Sequence, residues 1–376
     1  MAVGIADPDL LRERLTRWLP GPLGTRDGKV TALSVESVTA PRTGQSNETV
    51  FVEARWLRNG TEQRGSYVAR MQPRMNQMFI DADVVREAKL IARLGDVSPV
   101  AVPRIRAIEE DPSALGVPFF LMDKVDGHVP AGSPSVHVDP WIRAMTASQR
   151  RTLLTNAQDV LPQIHRVAPP EVAGILDASP EAATAEADIG RLRRWYDWAR
   201  RGRAFPVLDQ AMGWLEAGAG NASEPVLLWG DPRPGNMIFT EELTVAAVLD
   251  WEIASVGPPE LDLGWWLTMD EFARRGAEDR ELDGFPSDAE IVRRYEAVSG
   301  RRAGDLDFYR LVAAVKLAIT LIPAMDSLIA RSILAADTRF AHDNVPTQIV
   351  ARLLGIPEPA LCQDYRRLSR MSKVRR

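Results

Sequence analysis

Leu228-Trp229-Gly230-Asp231-Pro232-Arg233-Pro234-Gly235-Asn236 and, nineteen positions past Asp231, Leu249-Asp250-Trp251-Glu252 are the two stretches that decide the reading of this chain. Each follows a short apolar run, Val226 to Trp229 or Val245 to Leu249, that reads as a strand ending in a polar turn. The first loop presents a carboxylate and, five residues later, a side-chain amide; the second presents a carboxylate at a strand end. Magnesium takes oxygen ligands of this kind, one or two from protein and others from substrate phosphates. Asp-Pro and Pro-Gly-Asn are also ordinary turn sequences, so each loop alone has a purely structural reading. The two loops together are harder to explain as turns.

The spacing of Asp231 and Asn236 is that of the catalytic loop of eukaryotic-type kinases, where the aspartate accepts a hydroxyl proton and the asparagine holds a magnesium ion. Outward from the loops, helical periodicity dominates: Ser148 to Val167, Thr184 to Arg201, Val207 to Ala217, Ser287 to Val298, Asp305 to Leu334 and Val345 to Leu354. Toward the N-terminus, Asp7-Pro8 opens an amphipathic helix that stops before Pro20-Gly21-Pro22. Val30 to Val38, Thr49 to Leu57 and Arg64 to Met71 read as strands, Asp83 to Leu94 as a helix, and Val102 to Ile108 with Phe119 to Met122 as strands again. That order is not the strand-helix alternation of a doubly wound domain. The fold class expected is α+β in two lobes: a lead-in helix over 1–26, an N-lobe over 27–124 built as an antiparallel sheet with one helix, and a mainly α-helical C-lobe over 125–376.

Phosphate-positioning groups belong in the N-lobe. Thr43-Gly44-Gln45-Ser46-Asn47-Glu48-Thr49 lies in a polar turn between the first two strands, where Gly44, Ser46 and Asn47 could cover phosphates or close a plain hairpin. Arg70 stands where a Val-Ala-Ile-Lys strand carries its phosphate-binding lysine, and arginine stays charged there with a more rigid fork. Glu87 on the next helix is its candidate ion-pair partner, or else an exposed helix carboxylate.

The formal net charge of -5 gives no broad positive field for nucleic acid. A basic cluster, Arg366, Arg367, Arg370, Lys373, Arg375 and Arg376, reads as a solvated helix end and tail. One cysteine, Cys362, excludes an internal disulfide, and His128, His137, His165 and His342 show no metal-ligand spacing. The longest apolar stretch, Leu311 to Ile322, is interrupted by Lys316, so a soluble cytoplasmic protein is expected, with no membrane or nucleic-acid partner, as monomer or homodimer.

On these residues the chain resembles the aminoglycoside phosphotransferase family, in the branch related to kinase domains fused to some acyl-CoA dehydrogenases. The resemblance runs over roughly residues 27 to 340 and is strongest in Leu228 to Phe239 and in Val248 to Trp265. Phe119-Phe120-Leu121-Met122-Asp123, followed by Asp126-Gly127, is similar to the hinge between lobes and places Met122 and Asp123 beside the nucleotide. The resemblance implies a small-molecule kinase using ATP, or GTP in its place, with Mg2+, and a small hydroxyl acceptor. It implies Asp231 as catalytic base, Asn236 and Asp250 as magnesium ligands, Asp262 as a buried acceptor bracing the loop, and Arg233 beside the transferred phosphate. Trp229 replaces the commoner histidine, read as a packing change. A kinase-fold ATP-binding protein with little activity is the alternative. A protein kinase is disfavoured, because eleven residues between Asp250 and Asp262 leave little room for an activation segment. For the acceptor, Asp270, Glu271, Glu278, Asp279, Glu281 and Asp283 offer either an acidic pocket or a solvated loop, while Trp195, Trp198, Trp251, Trp265 and Trp266 offer either an apolar pocket or core. A hydroxyacyl-CoA or other hydrophobic alcohol enters by analogy alone.

Overall fold

The computed structural model describes residues 7–24, 30–40, 48–73, 79–80, 82–131, 135–176, 184–218, 223–277 and 281–371. Asp7 caps α1 (Pro8–Trp18), its carboxylate accepting from the Leu10 amide at 3.0 Å. The helix stops before Pro20-Gly21-Pro22, as expected, and that stretch itself starts a short helix, α2 (Pro20–Gly24). Proline costs little in a first helical turn, where its missing N–H has no partner to lose. Leu11, Leu15 and Leu19 lie on one face at four-residue spacing and are buried on the N-terminal sheet.

That sheet holds β1 (Val30–Thr39), β2 (Glu48–Arg58), β3 (Thr61–Met71), β4 (Ile105–Glu109) and β5 (Phe119–Asp123), antiparallel in the order β1-β2-β3-β5-β4. Asn59 and Gly60, both at positive φ (50° and 81°), close the β2–β3 hairpin, the conformation that two-residue turns require. Strand alternation sends Ala69 and Met71 into the core under α1 and turns Arg70 to the other face. There α3 (Val84–Val97) packs, capped by Asp83 and burying the stripe Val84, Glu87, Ala88, Ile91 and Leu94. Glu87 is thus a carboxylate on an apolar helix face.

The second lobe is mainly helical, as expected, around four short strands, of which β9 was not foreseen: α4 (Pro140–Ala144), α5 (Ala147–Gln158), α6 (Val160–Ile164), α7 (Ala173–Leu176), α8 (Ala185–Arg200), α9 (Pro206–Ala217), β6 (Val226–Leu228), β7 (Met237–Phe239), β8 (Val245–Val248), β9 (Ser255–Gly257), α10 (Glu260–Ala277), α11 (Asp288–Ser299), α12 (Leu306–Ala330), α13 (Val345–Leu353) and α14 (Gln363–Met371). The helix expected over Ser148 to Val167 is split at Asp159, because Pro162 cannot donate to the Gln158 carbonyl. Sequence periodicity missed α10 altogether. It is buried on several sides, so its apolar residues make no single stripe, and its charged C-terminal half reads as loop. By length and mean hydropathy (1.8) α12 could cross a bilayer, yet here it is packed by α8, α9, α10 and α13.

The lobes meet through backbone. Gly127, at φ 144°, passes so close to β7 that a Cβ would sit 2.4 Å from the Phe239 carbonyl. Next to it His128 and Phe239 exchange two backbone hydrogen bonds of 2.8 Å, and the Val248 amide donates to the Ala101 carbonyl at 2.8 Å.

Candidate active site

The β7–β8 hairpin brings the two loops together. Met237 pairs with Val248, and the Leu249 amide donates to the Asn236 carbonyl at 2.9 Å, so Asn236 and Asp250 flank one cleft. Beneath them Trp229 is fully buried, its indole donating to the Leu249 carbonyl at 2.9 Å and its ring 5.9 Å from that of Trp251. The large side chain ties the catalytic loop to the strand end carrying Asp250. Between Asp250 and α10 the chain is taken up by β9, paired to β6, and by Pro258-Pro259. No peptide platform intervenes.

Asp262 braces the loop as the resemblance implied. Its two oxygens accept from the Trp229 amide (2.8 Å) and the Gly230 amide (2.9 Å). His165 completes the support, with Nε2 3.2 Å from Asp262 Oδ2 and Nδ1 2.8 Å from the Tyr295 hydroxyl. Sequence reading left His165 among scattered histidines, since nothing near it in the chain points to a partner 97 residues away. Gly230 at φ 92° is obligatory: a Cβ there would lie 2.5 Å from the Ile253 carbonyl.

Three side chains converge on Asp231. Trp265 Nε1 donates to Oδ1 at 2.7 Å, Asn236 Nδ2 to Oδ2 at 2.7 Å, and Arg233 Nε reaches both oxygens at 3.1 and 3.0 Å. Burial pushes the carboxyl up, but the charge and hydrogen bonds of Arg233, the Asn236 amide and the Lys316 ammonium outweigh it, and the net direction is down. Asp231 is therefore held ionised. With Nδ2 so engaged, Asn236 turns its Oδ1, the atom a cation would take, to the other edge of the amide.

Across the cleft, Arg70 pairs with three carboxylates: Glu87 at 2.9 Å, Asp250 at 2.8 Å and Glu252 at 3.4 Å. One guanidinium is thus shared by three carboxylates. Burial, with Asp250 adding to it, pushes the Glu87 carboxyl up to about 7 against the pull of Arg70. Of the two readings of Glu87, the ion pair is the one seen. Asp250 sits at φ 63°, a left-handed conformation that aspartate tolerates better than most residues and that is often kept where geometry serves function. Glu252 was not singled out from sequence, although its place two residues after Asp250 puts it on the same side of the loop. Met122 lies in β5 opposite Val68 and Ile105, and Asp123, at the strand end, accepts from Arg106 Nε at 2.6 Å. Gly44, Ser46 and Asn47 lie outside the described residues.

The acidic stretch divides: Glu281 and Asp283 are exposed in the segment after α10, as the solvated-loop reading expects, whereas the first two carboxylates are taken up on the helix. Asp270 and Glu271 are on α10 and are taken up by arginines, Asp270 by Arg274 and Glu271 by Arg275, Arg310 and Arg352; Glu278 and Asp279 lie outside the described residues. The tryptophans divide as well. Trp195 and Trp251 are core, whereas Trp265 reaches Asp231 and Trp266 walls an apolar pocket of about 50 Å³ that also borders Pro232 to Gly235.

The sequence model of the Phosphotransferase enzyme family matches residues 37–300. The chain belongs to this family. Among curated relatives of this phosphotransferase, mouse (Mus musculus) acyl-CoA dehydrogenase family member 10 is 27% identical over 76% of this chain, and the chain spans about a quarter (25%) of that relative's length. Among solved structures, a Ralstonia eutropha JMP134 chain assigned to the aminoglycoside phosphotransferases superposes with a TM-score of 0.65 at 22% identity, covering 91% of this chain and 98% of its own. A thermostable aminoglycoside phosphotransferase in ternary complex with ADP and hygromycin B superposes with a TM-score of 0.52 at 14% identity, covering 90% of this chain and 98% of its own. The chain therefore has the two-lobed kinase-like fold, with an N-terminal antiparallel sheet and a helical C-terminal lobe.

Proposed function

We propose that the protein is an ATP-dependent kinase that transfers the γ-phosphoryl group to the hydroxyl of a small, largely apolar acceptor. The observation that carries this reading is the three-donor clamp on an ionised Asp231 at the edge of a cleft whose other wall shares one arginine, Arg70, among three carboxylates. Asp231 orients the acceptor hydroxyl and takes its proton as the oxygen attacks the γ-phosphorus and the bond to the β-phosphate oxygen breaks, releasing ADP. Arg233 places a fixed cation beside that point. Arg70 offers its fork to the phosphates, in the lysine's place.

Magnesium fits this donor set: Asn236 Oδ1 and the Asp250 carboxylate would hold it, and it would supply neutralisation of the triphosphate charge. Three carboxylates, Glu87, Asp250 and Glu252, sharing the Arg70 guanidinium support a divalent cation here. The match of this chain to part of a relative named as an acyl-CoA dehydrogenase family member supports a hydroxyacyl-CoA or kindred alcohol as acceptor. So does the apolar pocket against the catalytic loop, walled by Leu154, Trp266, Met269, Phe272 and Phe285. Arginine pairing of Asp270 and Glu271 leaves those two carboxylates less available to a polycationic aminoglycoside.

The test is ADP formation from magnesium-ATP with a hydroxyacyl-CoA, a secondary fatty alcohol, an aminoglycoside and water as acceptors, with Asp231→Asn in parallel. Asp231→Asn should lower transfer by roughly two to four orders of magnitude while ATP affinity changes less than about threefold. Transfer at the wild-type rate by Asp231→Asn would reduce Asp231 to a turn residue.

A further inference from the structure

Lys316 is the only charged residue between Arg310 and Asp326, on the most apolar helix of the fold. A lysine inside such a helix must have its ammonium compensated where it lies. Its Nζ donates to the Gly230 carbonyl at 2.6 Å and stands 4.5 Å from the centroid of the Trp265 ring. Both contacts lead to Asp231. The Gly230 carbonyl belongs to the peptide unit whose nitrogen is that of Asp231, and the Trp265 indole donates to Asp231 Oδ1.

Gly230 has the widest backbone freedom of any residue type, so the orientation of the Gly230–Asp231 peptide has to be imposed from outside. The preceding Trp229–Gly230 peptide is fixed through its N–H by Asp262, and the Gly230–Asp231 peptide through its carbonyl by Lys316. The indole is fixed similarly. An ammonium over the ring face holds the ring plane and draws electron density from it, which makes the Nε1–H a stronger donor to the carboxylate. Helix α12 thereby reaches the catalytic loop twice through one side chain, although it contributes nothing else to the loop's hydrogen bonding among the described residues.

We propose that Lys316 is a positioning residue for Asp231, acting through the Gly230–Asp231 peptide and through the Trp265 indole. The proposal rests on the kinase reading of the site. Lys316→Met keeps length and suits the apolar helix, so the fold should survive. Trp265→Phe keeps the ring and removes only the donor.

The experiment measures ADP formation from magnesium-ATP with the four acceptors named above, for wild type, Asp231→Asn, Lys316→Met, Lys316→Arg, Trp265→Phe and the Lys316→Met/Trp265→Phe double variant, with ATP affinity measured by calorimetry. Lys316→Met should lower kcat roughly 10- to 100-fold, the scale of a small misplacement of a reacting group, with ATP affinity within about threefold. Lys316→Arg should recover most of the loss. The double variant should lose less than the product of the single losses, because both act on one carboxylate. A wild type no faster than Asp231→Asn with every acceptor overturns the kinase reading and this one with it. With wild type active and Asp231→Asn inactive, three results each overturn the role of Lys316 alone: an unimpaired Lys316→Met, a loss that follows ATP affinity and is not recovered by arginine, or single losses that multiply.

Discussion

Glu87 and Glu271 are both buried glutamates paired with arginine, and the fold pushes them in opposite directions. Glu87 shares its single arginine, Arg70, with Asp250 and Glu252, and burial carries its carboxyl up to about 7. Glu271 is also driven up by burial, but Arg352, Arg275 and Arg310 all point at it and the net direction is down. The ratio of guanidinium to carboxylate decides the outcome. A carboxylate held by several arginines, as Glu271 is, is a structural fastening; carboxylates that share one arginine in a cleft, as around Arg70, are suited to a cation that comes and goes with a ligand.

Removing one partner from each cluster is the strongest way to break this comparison. Arg70→Met should cost about 3–5 kcal/mol of stability by leaving buried carboxylates unpaired, and should also abolish measurable ATP binding. Glu271→Ala should cost nearer the low end of that range, because Arg352 is 40% exposed and can turn to solvent, and should leave ATP affinity unchanged. Chemical denaturation paired with nucleotide titration checks both. Loss of ATP binding in Glu271→Ala would make the second cluster functional after all.

Asp270, one residue before Glu271, sharpens the rule. It shares Arg274 with Asp288, and burial pushes it up to about 6. A carboxyl whose folded pKa is raised stabilises fully below its unfolded pKa, near 4, and loses that contribution as pH rises through the folded value. Wild-type stability should therefore fall by no more than about 3 kcal/mol from this group between about pH 4 and 6, and stay flat above. Asp270→Asn should remove that fall. Parallel pH profiles for the two proteins would show charge ratio to be the wrong explanation.

The lobes, the catalytic loop and the strand-end Asp250 were legible because each rests on local pattern: period-two strands, an Asn-Gly turn, and oxygen donors in turns after short apolar runs. Glu87 was half legible, as a carboxylate on the apolar stripe of α3. What was hidden depends on contacts between distant segments. Trp265 reads as core until Asp231 is seen beside it, and His165 needs Asp262 and Tyr295. Lys316 was visible as an interruption of an apolar run, a signal taken as evidence about membranes when it also marked a buried charge in need of a partner. Asp270 and Glu271, at the start of the acidic stretch, could not be told from its exposed part because the arginines that pair them come from α10, α12 and α13, up to 81 residues on.

The central claim is that the cleft around Arg70 and Asp250 takes a divalent cation together with ATP. Calorimetric titration of Asp250→Ala with ATP, with magnesium and with EDTA, tests it most directly. The account predicts that wild type binds ATP at least about tenfold more tightly with magnesium than with EDTA, and that Asp250→Ala loses this difference. An Asp250→Ala protein that keeps wild-type affinity for magnesium-ATP would place the metal elsewhere and contradict the assignment of the cleft.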